Sequence, residues 1–475
     1  MRLLRPLLDK FKAKQTLNAG EEIAPAAIPS NKIEADKTPT DKTRACETST
    51  ADAATIDITS FDPFDQCFIE DPYPNLRFLQ AQHPIFQSKS GNWVMTRHQD
   101  IANALADTRF SNTPSPFAVV SQRNSDKFTC ANVANNTLPF LDAPEHTAPR
   151  KLITRAFHEQ MKSASFESVI DANAIFSKTI NQATNEAANK NSADLLTQLC
   201  TPLCTEFMCE IFGIEGEQAH SQLHTDLKNW SDWFFYLFSI IPSREVRDQL
   251  NQELGDFRVF FQTLIENKKA QPGSDLISKL LTANESNPAL TEQVMIDNCM
   301  LLMADGINAD YGVANALLTL IQQPEKLEQL RQNPELIPDA VHELLRFESP
   351  SLFIARRALE DIQLGEQLIK KNSGVLLMLA AANRDPELFE QADELQFDRK
   401  RNLNMSFGKG EHTCIGRVLV TTMCESAIKA LIALPAVTVD DAKIQWELRA
   451  GHRWLKGLPV VKVNCVAREN RLGGF

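Results

Sequence analysis

Apolar residues recur every three to four positions through most of the middle of the chain, which is the spacing of amphipathic helices. This pattern holds from about residue 161 to residue 289. It continues over residues 293–322, where polar residues are so few that we predict one long, mostly apolar helix. Short runs such as Trp93-Val94-Met95-Thr96 have instead the β-branched and aromatic character of strands. The chain is therefore predicted to be mainly α with a small β region.

The two ends of the chain differ from the middle in composition. Residues 16–57 are rich in Ala, Thr, Lys, Asp, Glu and Pro and have almost no aromatic side chains. Such a segment buries too little apolar surface to offset the entropy of ordering it, so we predict a disordered leader over residues 1–57. Its first 14 residues mix Leu and Phe with Arg and Lys, which fits either a short amphipathic helix or a frayed terminus. The folded domain is expected at 58–465, and a tail at 466–475.

Charge and cysteine content exclude several classes of protein. The 49 Lys and Arg against 61 Asp and Glu give a formal charge of −12, which argues against binding of nucleic acid. The 10 cysteines are scattered without a C-x-x-C pair, which suits reduced thiols better than a disulfide framework or a zinc site. No uncharged apolar run is long enough to cross a bilayer. We therefore expect a soluble, cytoplasmic protein without a transmembrane segment.

Residues 407–416, which read F-G-K-G-E-H-T-C-I-G and are called here the cysteine loop, have the clearest chemical character in the chain. They contain Cys414 together with Gly408, Gly410 and Gly416. Glycines this dense let the backbone curl around a sulfur and pass close to a flat ligand. An apolar helix is predicted directly after the loop, and its N-terminus favours negative charge on the sulfur. The alternative is a buried, inert cysteine beside a turn.

The cysteine loop resembles the haem-binding loop of the cytochrome P450 family, whose pattern is F-x-x-G-x-x-x-C-x-G. Its fixed positions are matched by Phe407, Gly410, Cys414 and Gly416. Further motifs follow in the family's order, namely D-P-Y-P at 71–74, W-V-M-T-R at 93–97, D-x-R-F-S at 107–111 and E-x-x-R at 343–346. The resemblance implies the cytochrome P450 fold, with haem b between the long central helix and the cysteine loop. Cys414 would be the axial ligand of the iron.

The resemblance also assigns basic side chains to the haem propionates. His146 and Arg150 would share one face of a helix, which is costly for two cations unless an anion lies between them; a solvated basic face is the alternative. Pro149 lies between them and would disturb a helix interior. Arg356, rather than its neighbour Arg357, matches the family's propionate-binding arginine. The residues that the resemblance places against the haem are Cys414, His146, Arg150, Arg356, His412, Phe407 and Gly408.

The middle of the predicted long helix contains residues that a buried helix would be expected to avoid, which are Asp305, Gly306 and Asn308. Unpaired polar groups there are costly, so this part of the helix is predicted to pass a ligand. The family has the pattern A-G-x-[DE]-T here, in which an acid and an alcohol relay protons to oxygen, but this chain has no Ser or Thr in either register. Three alternatives remain: Asp305 or Asn308 holds a water in place of the pair, the substrate supplies the proton donor, or peroxide feeds the reaction.

The resemblance implies a haem-thiolate monooxygenase that inserts oxygen from O2 into a small or medium apolar or aromatic substrate. Its electrons would come from a ferredoxin and a ferredoxin reductase, with docking around Lys409 and Arg417. The missing acid–alcohol pair leaves a second hypothesis open, which is oxidative coupling of phenols or similar arenes without oxygen insertion. A haem sensor or haem-binding protein is a third hypothesis. The aromatic residues between 230 and 238 are either the roof of a substrate pocket or ordinary core.

Overall fold

The computed structural model describes residues 58–163, 192–214, 220–399, 403–434 and 436–462. The predicted leader and tail, and parts of the predicted helical segment 161–289, lie outside these residues. The α-helices are α1 (Gln66–Glu70), α2 (Tyr73–Gln82), α3 (His98–Ala106), α4 (Thr129–Asn136), α5 (Thr147–Ser163), α6 (Thr201–Phe212), α7 (His220–Phe234), α8 (Arg244–Ala270), α9 (Leu276–Ser286), α10 (Glu292–Ile307), α11 (Ala309–Gln322), α12 (Pro324–Gln332), α13 (Ile337–Phe347), α14 (Leu379–Ala382) and α15 (Arg417–Ile432). The strands are β1 (Ile85–Gln87), β2 (Trp93–Met95), β3 (Phe110–Ser111), β4 (Ser192–Asp194), β5 (Ile354–Ala358), β6 (Ile362–Leu364), β7 (Gln367–Ile369), β8 (Gly374–Leu377), β9 (Val437–Val439) and β10 (Pro459–Lys462).

The largest sheet has the strand order β1-β2-β8-β5-β3. β2 runs parallel to β8, whereas the other neighbouring strands are antiparallel. Three strands form a second sheet in the order β4-β10-β9, and β6 pairs with β7. The predicted strand at Trp93 is confirmed as β2. The architecture is mainly helical with a small β region, as the hydrophobic pattern predicts.

α10 and α11 lie at the centre of the helical part. α10 packs against α6, α7 and α8, and α11 packs against α13 and α15. Most residues of the two helices are buried. A helix that is apolar on all sides belongs in a protein core, and here the cores of the surrounding helices meet on it. These two helices therefore form the frame against which the rest of the helical part is positioned.

The prediction of one unbroken helix over residues 293–322 is wrong in one respect. The helix ends at Ile307 and resumes at Ala309, with Asn308 between the two parts at φ −74° and ψ 0°. The N–H of Asn308 still bonds to the carbonyl of Ala304 at 3.0 Å. Its side-chain amide donates to the carbonyl of Ser231 in α7 at 3.0 Å. A contact from outside the helix thus holds the residue at the break, and no local pattern predicts such a contact.

Packing against α6 explains why residue 306 is a glycine, and the sequence does not show this contact. A Cβ atom at this position would overlap the Met208 side chain of α6, lying 2.7 Å from its Cε and 2.8 Å from its Cγ. The glycine therefore allows α10 to approach α6 closely. The nearest obstacle to a larger residue at Gly306 is this neighbouring helix.

The E-x-x-R motif forms a buried network between α13 and the chain that leads to the cysteine loop. Arg346 is fully buried, and its Nε and Nη2 donate to the two carboxylate oxygens of Glu343 at 2.7 and 2.8 Å. Its remaining donors bond to the carbonyls of Asn383, Ala392 and Glu394 at 2.8 to 3.1 Å. All five N–H groups of the guanidinium therefore have acceptors.

Replacing Arg346 with alanine should lower the free energy of unfolding by about 3–5 kcal/mol, because it leaves a buried carboxylate and three carbonyls short of donors. The control is Arg155→Ala, which removes the exposed Arg155–Glu159 pair of α5 and should cost less than about 1 kcal/mol. Denaturant titration of both variants measures the difference. Equal losses would contradict a structural role for the buried network.

Gly306→Ala should destabilise the protein by about 1–3 kcal/mol, because the added methyl group displaces Met208. The matched control is Gly312→Ala in α11, where the new Cβ would lie 3.5 Å from Pro350 Cγ, an ordinary contact. The control should be neutral or stabilising by up to about 1 kcal/mol, since alanine favours helix. Thermal unfolding of both variants, and of Gly306→Ala with Met208→Ala, measures this. No recovery in the double variant would argue against the packing explanation.

Candidate active site

The cysteine loop curls around the Cys414 side chain. The main-chain N–H of Cys414 donates to the carbonyl of Phe407 at 2.9 Å, which closes the loop. Gly408 and Gly410 adopt φ values of +66° and +79°, a region that side chains disfavour. A Cβ at Gly410 would also lie 3.2 Å from the carbonyl of Leu105 in α3, so this glycine lets the loop approach that helix. The loop conformation thus depends on its glycines.

Two sets of neighbouring groups have opposite effects on the pKa of the Cys414 thiol. Burial, followed by the carboxyl group of Asp305, raises the pKa of the thiol to about 11. The N–H of Gly416 donates to the sulfur, and the Arg150 and Arg417 guanidinium groups also favour the thiolate. The sulfur lies just before the N-terminus of α15, where the helix dipole favours negative charge. The protein alone therefore keeps the thiol protonated, whereas a bound metal ion would deprotonate it.

Four basic side chains gather beside the cysteine loop. The rings of His146 and His412 stack with centroids 4.0 Å apart. The pKa of His412 is lowered to about 3 by burial and by the positive charges of His146, Arg356 and Arg150. Burial also lowers the pKa of Arg356 to about 10. His146 Nε2 is buried and has no hydrogen-bond partner among the described residues. Such a cluster, with an unpaired polar atom, is suited to bind an anion.

Local structure explains how the four side chains reach one place. Arg150 N bonds to the carbonyl of His146 at 3.0 Å, so the two residues lie on one face of α5. Pro149 is the third residue of α5, in the first turn, where its missing N–H costs no helical hydrogen bond. Neighbouring residues of β5 point to opposite sides, which separates Arg356 from Arg357. Arg357 bonds instead to Thr113 at 2.6 Å.

Asn112 and Asp142 support the basic cluster, and sequence reasoning missed both. Asn112 Nδ2 lies 3.0 Å from His412 Nε2 and 3.1 Å from Asp142 Oδ1. The Asp142 carboxylate also accepts the N–H of Asn112 at 2.9 Å and the Ser111 hydroxyl. Asp142 is the acid whose charge counters burial at Arg356. The only sequence signal was its position at the start of the D-x-P-x-H stretch before α5.

Asp305 faces the same enclosed space as Cys414. The residue is exposed to solvent, yet protein surrounds its carboxyl group, and this burial raises the pKa of Asp305 to about 7. Its charge contributes to the raised pKa of Cys414, so the two groups lie close enough to interact. A carboxyl group with a pKa near neutrality can both hold and release a proton at physiological pH.

Asn308, the second residue predicted for proton handling, is bound to α7. Its Oδ1 accepts from Lys228 Nζ at 2.8 Å, and its Nδ2 donates to the carbonyl of Ser231. Lys228 also contacts Asp310 at 3.0 Å and Asp232 at 2.9 Å. Sequence reasoning missed this group of charges. The signals available were a second acid in the apolar helix and a Lys and an Asp four residues apart.

The aromatic segment at residues 230–238 is mostly core. Trp230 stacks on Phe257 of α8 with centroids 5.4 Å apart, and Phe234 is fully buried. Towards the end of the segment, Phe235 packs against Trp454 of the C-terminal turn, and Phe238 stacks on Phe140. Of the two interpretations left open by the sequence, ordinary core applies to the first part of the segment.

The described residues fit a flat, doubly anionic ligand that contains a metal, as haem does. The Cys414 thiol offers one axial ligand, and the basic cluster offers donors for two carboxylates, including the unpaired His146 Nε2. The Asp305 carboxyl group lies close enough to Cys414 to raise the pKa of its thiol. Within the described part of the chain, no set of three or more His, Cys, Asp and Glu side chains could hold a metal ion. The same residues include no helix long and apolar enough to cross a membrane.

Comparison with named proteins gives the same family from independent evidence. A family model described as Cytochrome P450 matches residues 80–434. The biotin biosynthesis cytochrome P450 of Bacillus subtilis (strain 168) is 30% identical over 400 residues, which cover 83% of this chain and 96% of that protein. The mycinamicin IV hydroxylase/epoxidase of Micromonospora griseorubida is 29% identical over 377 residues, which cover 78% of this chain and 89% of that protein.

Solved structures share the fold over nearly their full length. P450BioI, in complex with an acyl carrier protein ligated to hexadec-9Z-enoic acid, is 28% identical with a TM-score of 0.71, covering 83% of this chain and 99% of that one. CalO2 is 22% identical with a TM-score of 0.73, covering 86% and 99%, and shows the fold alone. The family match, the 30% identity and the shared fold show that this chain belongs to the cytochrome P450 family and is a monooxygenase that uses haem held by a cysteine thiolate.

Proposed function

We propose that the protein inserts one oxygen atom of O2 into an apolar substrate, with Cys414 as the axial ligand of haem b and with electrons from a ferredoxin and its reductase. The observation that carries the proposal is the arrangement around one enclosed space. The Cys414 thiol lies in a loop that curls around it, the basic cluster adjoins it, and Asp305 faces it. Haem bound through a thiolate supplies the chemistry of dioxygen activation.

Each side chain has a distinct task in this proposal. His146, Arg150, Arg356 and His412 bind the two propionates by charge-assisted hydrogen bonds. Burial disfavours their positive charges, and an anion between them reverses that effect. Phe407 and Gly408 form the wall of the loop, where Gly408 lets the backbone pass close to a flat ring. The Gly416 N–H and the N-terminus of α15 stabilise negative charge on the sulfur.

Proton supply is assigned to Asp305 and Asn308 in place of the absent acid–alcohol pair. Burial raises the pKa of Asp305 to about 7, so its carboxyl group can donate a proton near neutral pH. Asn308 still has one N–H and one lone pair after its bonds to Ser231 and Lys228, which allows it to hold a water molecule. In this proposal, water held by Asn308 carries protons towards the substrate side of the site.

The substrate class is proposed from the names of relatives. One relative is named for biotin biosynthesis and another for the hydroxylation or epoxidation of mycinamicin IV, and a third is PksS, named for polyketide biosynthesis. The solved P450BioI complex contains a fatty acyl group on an acyl carrier protein. These names support an apolar molecule of acyl or polyketide type, of small or medium size.

The reductant is proposed to dock where the cysteine loop reaches the surface. Lys409 and Arg417 are exposed on either side of Cys414. Val418, beside them at the start of α15, is 52% exposed. A basic and partly apolar surface directly outside the sulfur suits an acidic electron carrier such as a ferredoxin.

One observation favours a second candidate function, which is oxidative coupling of phenols without oxygen insertion. In one of the two registers Asn308 takes the position of the usual alcohol, and its amide is bound to α7 through Lys228 and Ser231. Coupling by one-electron oxidation inserts no oxygen atom, and each phenol releases a proton when it is oxidised, so the substrate itself supplies protons that the missing alcohol would relay. The two functions differ in whether oxygen from O2 appears in the product.

Cys414→Ser should abolish the thiolate-type absorption spectrum of the reduced carbon monoxide complex, because serine oxygen does not donate charge to iron as a thiolate does. The control is Cys424→Ala in α15, which replaces another buried thiol ten positions further along the chain and should keep that spectrum. Absorption spectroscopy of both reduced variants makes the comparison. A thiolate-type spectrum in the serine variant would exclude Cys414 as the axial ligand.

Turnover under isotopically labelled O2, with surrogate ferredoxin and reductase, should give products that contain one labelled oxygen atom. The panel should include medium-chain acyl compounds and phenols, and mass spectrometry reads the products. Label in an oxidised acyl product supports the proposal. Unlabelled dimers of phenols, with no labelled product from any substrate, would replace it with oxidative coupling.

A further inference from the structure

A buried group of charges joins α7 to the break between α10 and α11. Lys228 Nζ of α7 lies 2.8 Å from Asn308 Oδ1, 2.9 Å from Asp232 Oδ1 and 3.0 Å from Asp310 Oδ2. The side chain of Lys228 is 18% exposed, and that of Asp310 is fully buried. The contacts with Asn308 and Asp232 are hydrogen bonds and the contact with Asp310 is an ion pair, so three polar partners hold the ammonium. One of the three acceptors is the residue at the helix break.

Both known contacts of the Asn308 amide come from α7. Its Nδ2 donates to the carbonyl of Ser231, and its Oδ1 accepts from Lys228. An asparagine amide has nearly the same shape in its two flipped orientations, and hydrogen-bond partners decide between them. The ammonium of Lys228 can only donate, so it selects the oxygen as the atom that faces α7. The N–H and the lone pair that remain on Asn308 are thereby fixed in direction.

The acids of this group explain why Lys228 stays charged and in place. Lys228, Asp232 and Asp310 carry one positive and two negative charges, and the pKa of the lysine is raised well above its usual value by the two carboxylates, which outweigh its burial. Asp310 also accepts the Thr201 hydroxyl at 2.6 Å, which anchors the group to α6. The Lys228 ammonium lies 4.1 Å from the centre of the Tyr311 ring, a further favourable contact for a buried cation. The cation is therefore held from three helices.

We infer that Lys228 is a positioning residue for the reaction: it fixes the orientation of the Asn308 amide at the helix break, and proton supply depends on that orientation. This inference rests on the proposed monooxygenase function. In other members of the family an acid and an alcohol of one helix supply the protons. Here a residue of α7 contributes to that supply by orienting Asn308. The Oδ1 atom of Asp310 is buried and without a partner among the described residues, which marks a place for a bound water beside Asn308.

The test uses a charge-balanced variant, because Lys228→Met alone leaves two buried carboxylates without their cation. Lys228→Met with Asp310→Asn removes the ammonium and one carboxylate together. The matched control is Lys268→Met with Asp275→Asn, a pair that joins α8 to the start of α9 at 2.9 Å with side chains 17% and 4% exposed. Asn308→Ala, alone and combined with the first variant, completes the set. All are measured as holoenzyme with the substrate that turns over.

The first variant should lower the product formed per reductant by about tenfold, a modest part of the ~10²–10⁴-fold that a positioned proton donor contributes. The missing product should appear as released hydrogen peroxide. Asn308→Ala should give a similar loss, and the combined variant should lose little more, because both changes remove one interaction. Turnover supported by added hydrogen peroxide should be nearly unchanged, since peroxide brings its own protons. The Lys268–Asp275 control should behave like the wild type in both assays.

The second readout does not depend on turnover. The C–O stretching band of the reduced carbon monoxide complex should shift or broaden in the same direction in the Lys228 and Asn308 variants, and not in the control. Lys228→Arg keeps the charge balance with a different donor geometry and should move the band as well, so the test stands if the double variant does not fold. An unmoved band in the Lys228 variants, together with unchanged product per reductant, would overturn the inference. Absence of labelled product in the wild type overturns the proposed function instead, and the band still tests the positioning of Asn308.

Discussion

The buried guanidinium of Arg346 sets the geometry of the region around the cysteine loop. A guanidinium without water around it is tolerated only when every N–H has an acceptor, and here Glu343 and three main-chain carbonyls supply them all. Asn383, one of the residues that accept through their carbonyls, also bonds through its side chain to Ser406 at 2.9 Å, just before the loop. The position of Cys414 relative to the core is therefore tied to a charge that carries no part of the chemistry. The Arg346 network therefore contributes both to the stability of the fold and to the placement of the cysteine loop.

In the site itself, burial disfavours the charged forms of the side chains that would bind the haem. Burial lowers the pKa of His412, His146 and Arg356, while it raises the pKa of Cys414, so the protein alone disfavours every charge that the haem requires. A metal ion and two carboxylates reverse each of these preferences at once. The polypeptide thus provides a set of groups whose charged forms are disfavoured by burial and become favoured with the ligand bound. This explains why cations gather on one side of the space and a thiol lies at its base.

The parts of the site that the sequence predicts are those whose chemistry is local. The closure of the loop from Cys414 to Phe407 and the shared face of His146 and Arg150 follow from short spacings, and the structure has both. The contacts of the residue at the break were not predictable, because Lys228 and Ser231 lie 80 and 77 positions before Asn308 in another helix. The packing of Gly306 was also not predictable from the sequence, since Met208 of α6, which a larger residue would displace, is known only from the fold. A hydrophobic pattern does not show which distant segments of the chain contact each other.

The central helices carry two acids in contrasting surroundings, and the contrast separates their tasks. Burial raises the pKa of both Asp305 and Asp310. At Asp310 the Lys228 ammonium and the Thr201 hydroxyl oppose that effect, so this carboxylate is suited to remain one half of an ion pair. At Asp305 burial acts alone, and the carboxyl group faces the space that it shares with Cys414. Active sites commonly contain two carboxyl groups in different environments, of which one exchanges protons and the other keeps its charge. In the absence of the usual alcohol, Asp305 is suited to exchange protons, and the Lys228–Asp310 ion pair is suited to orient Asn308.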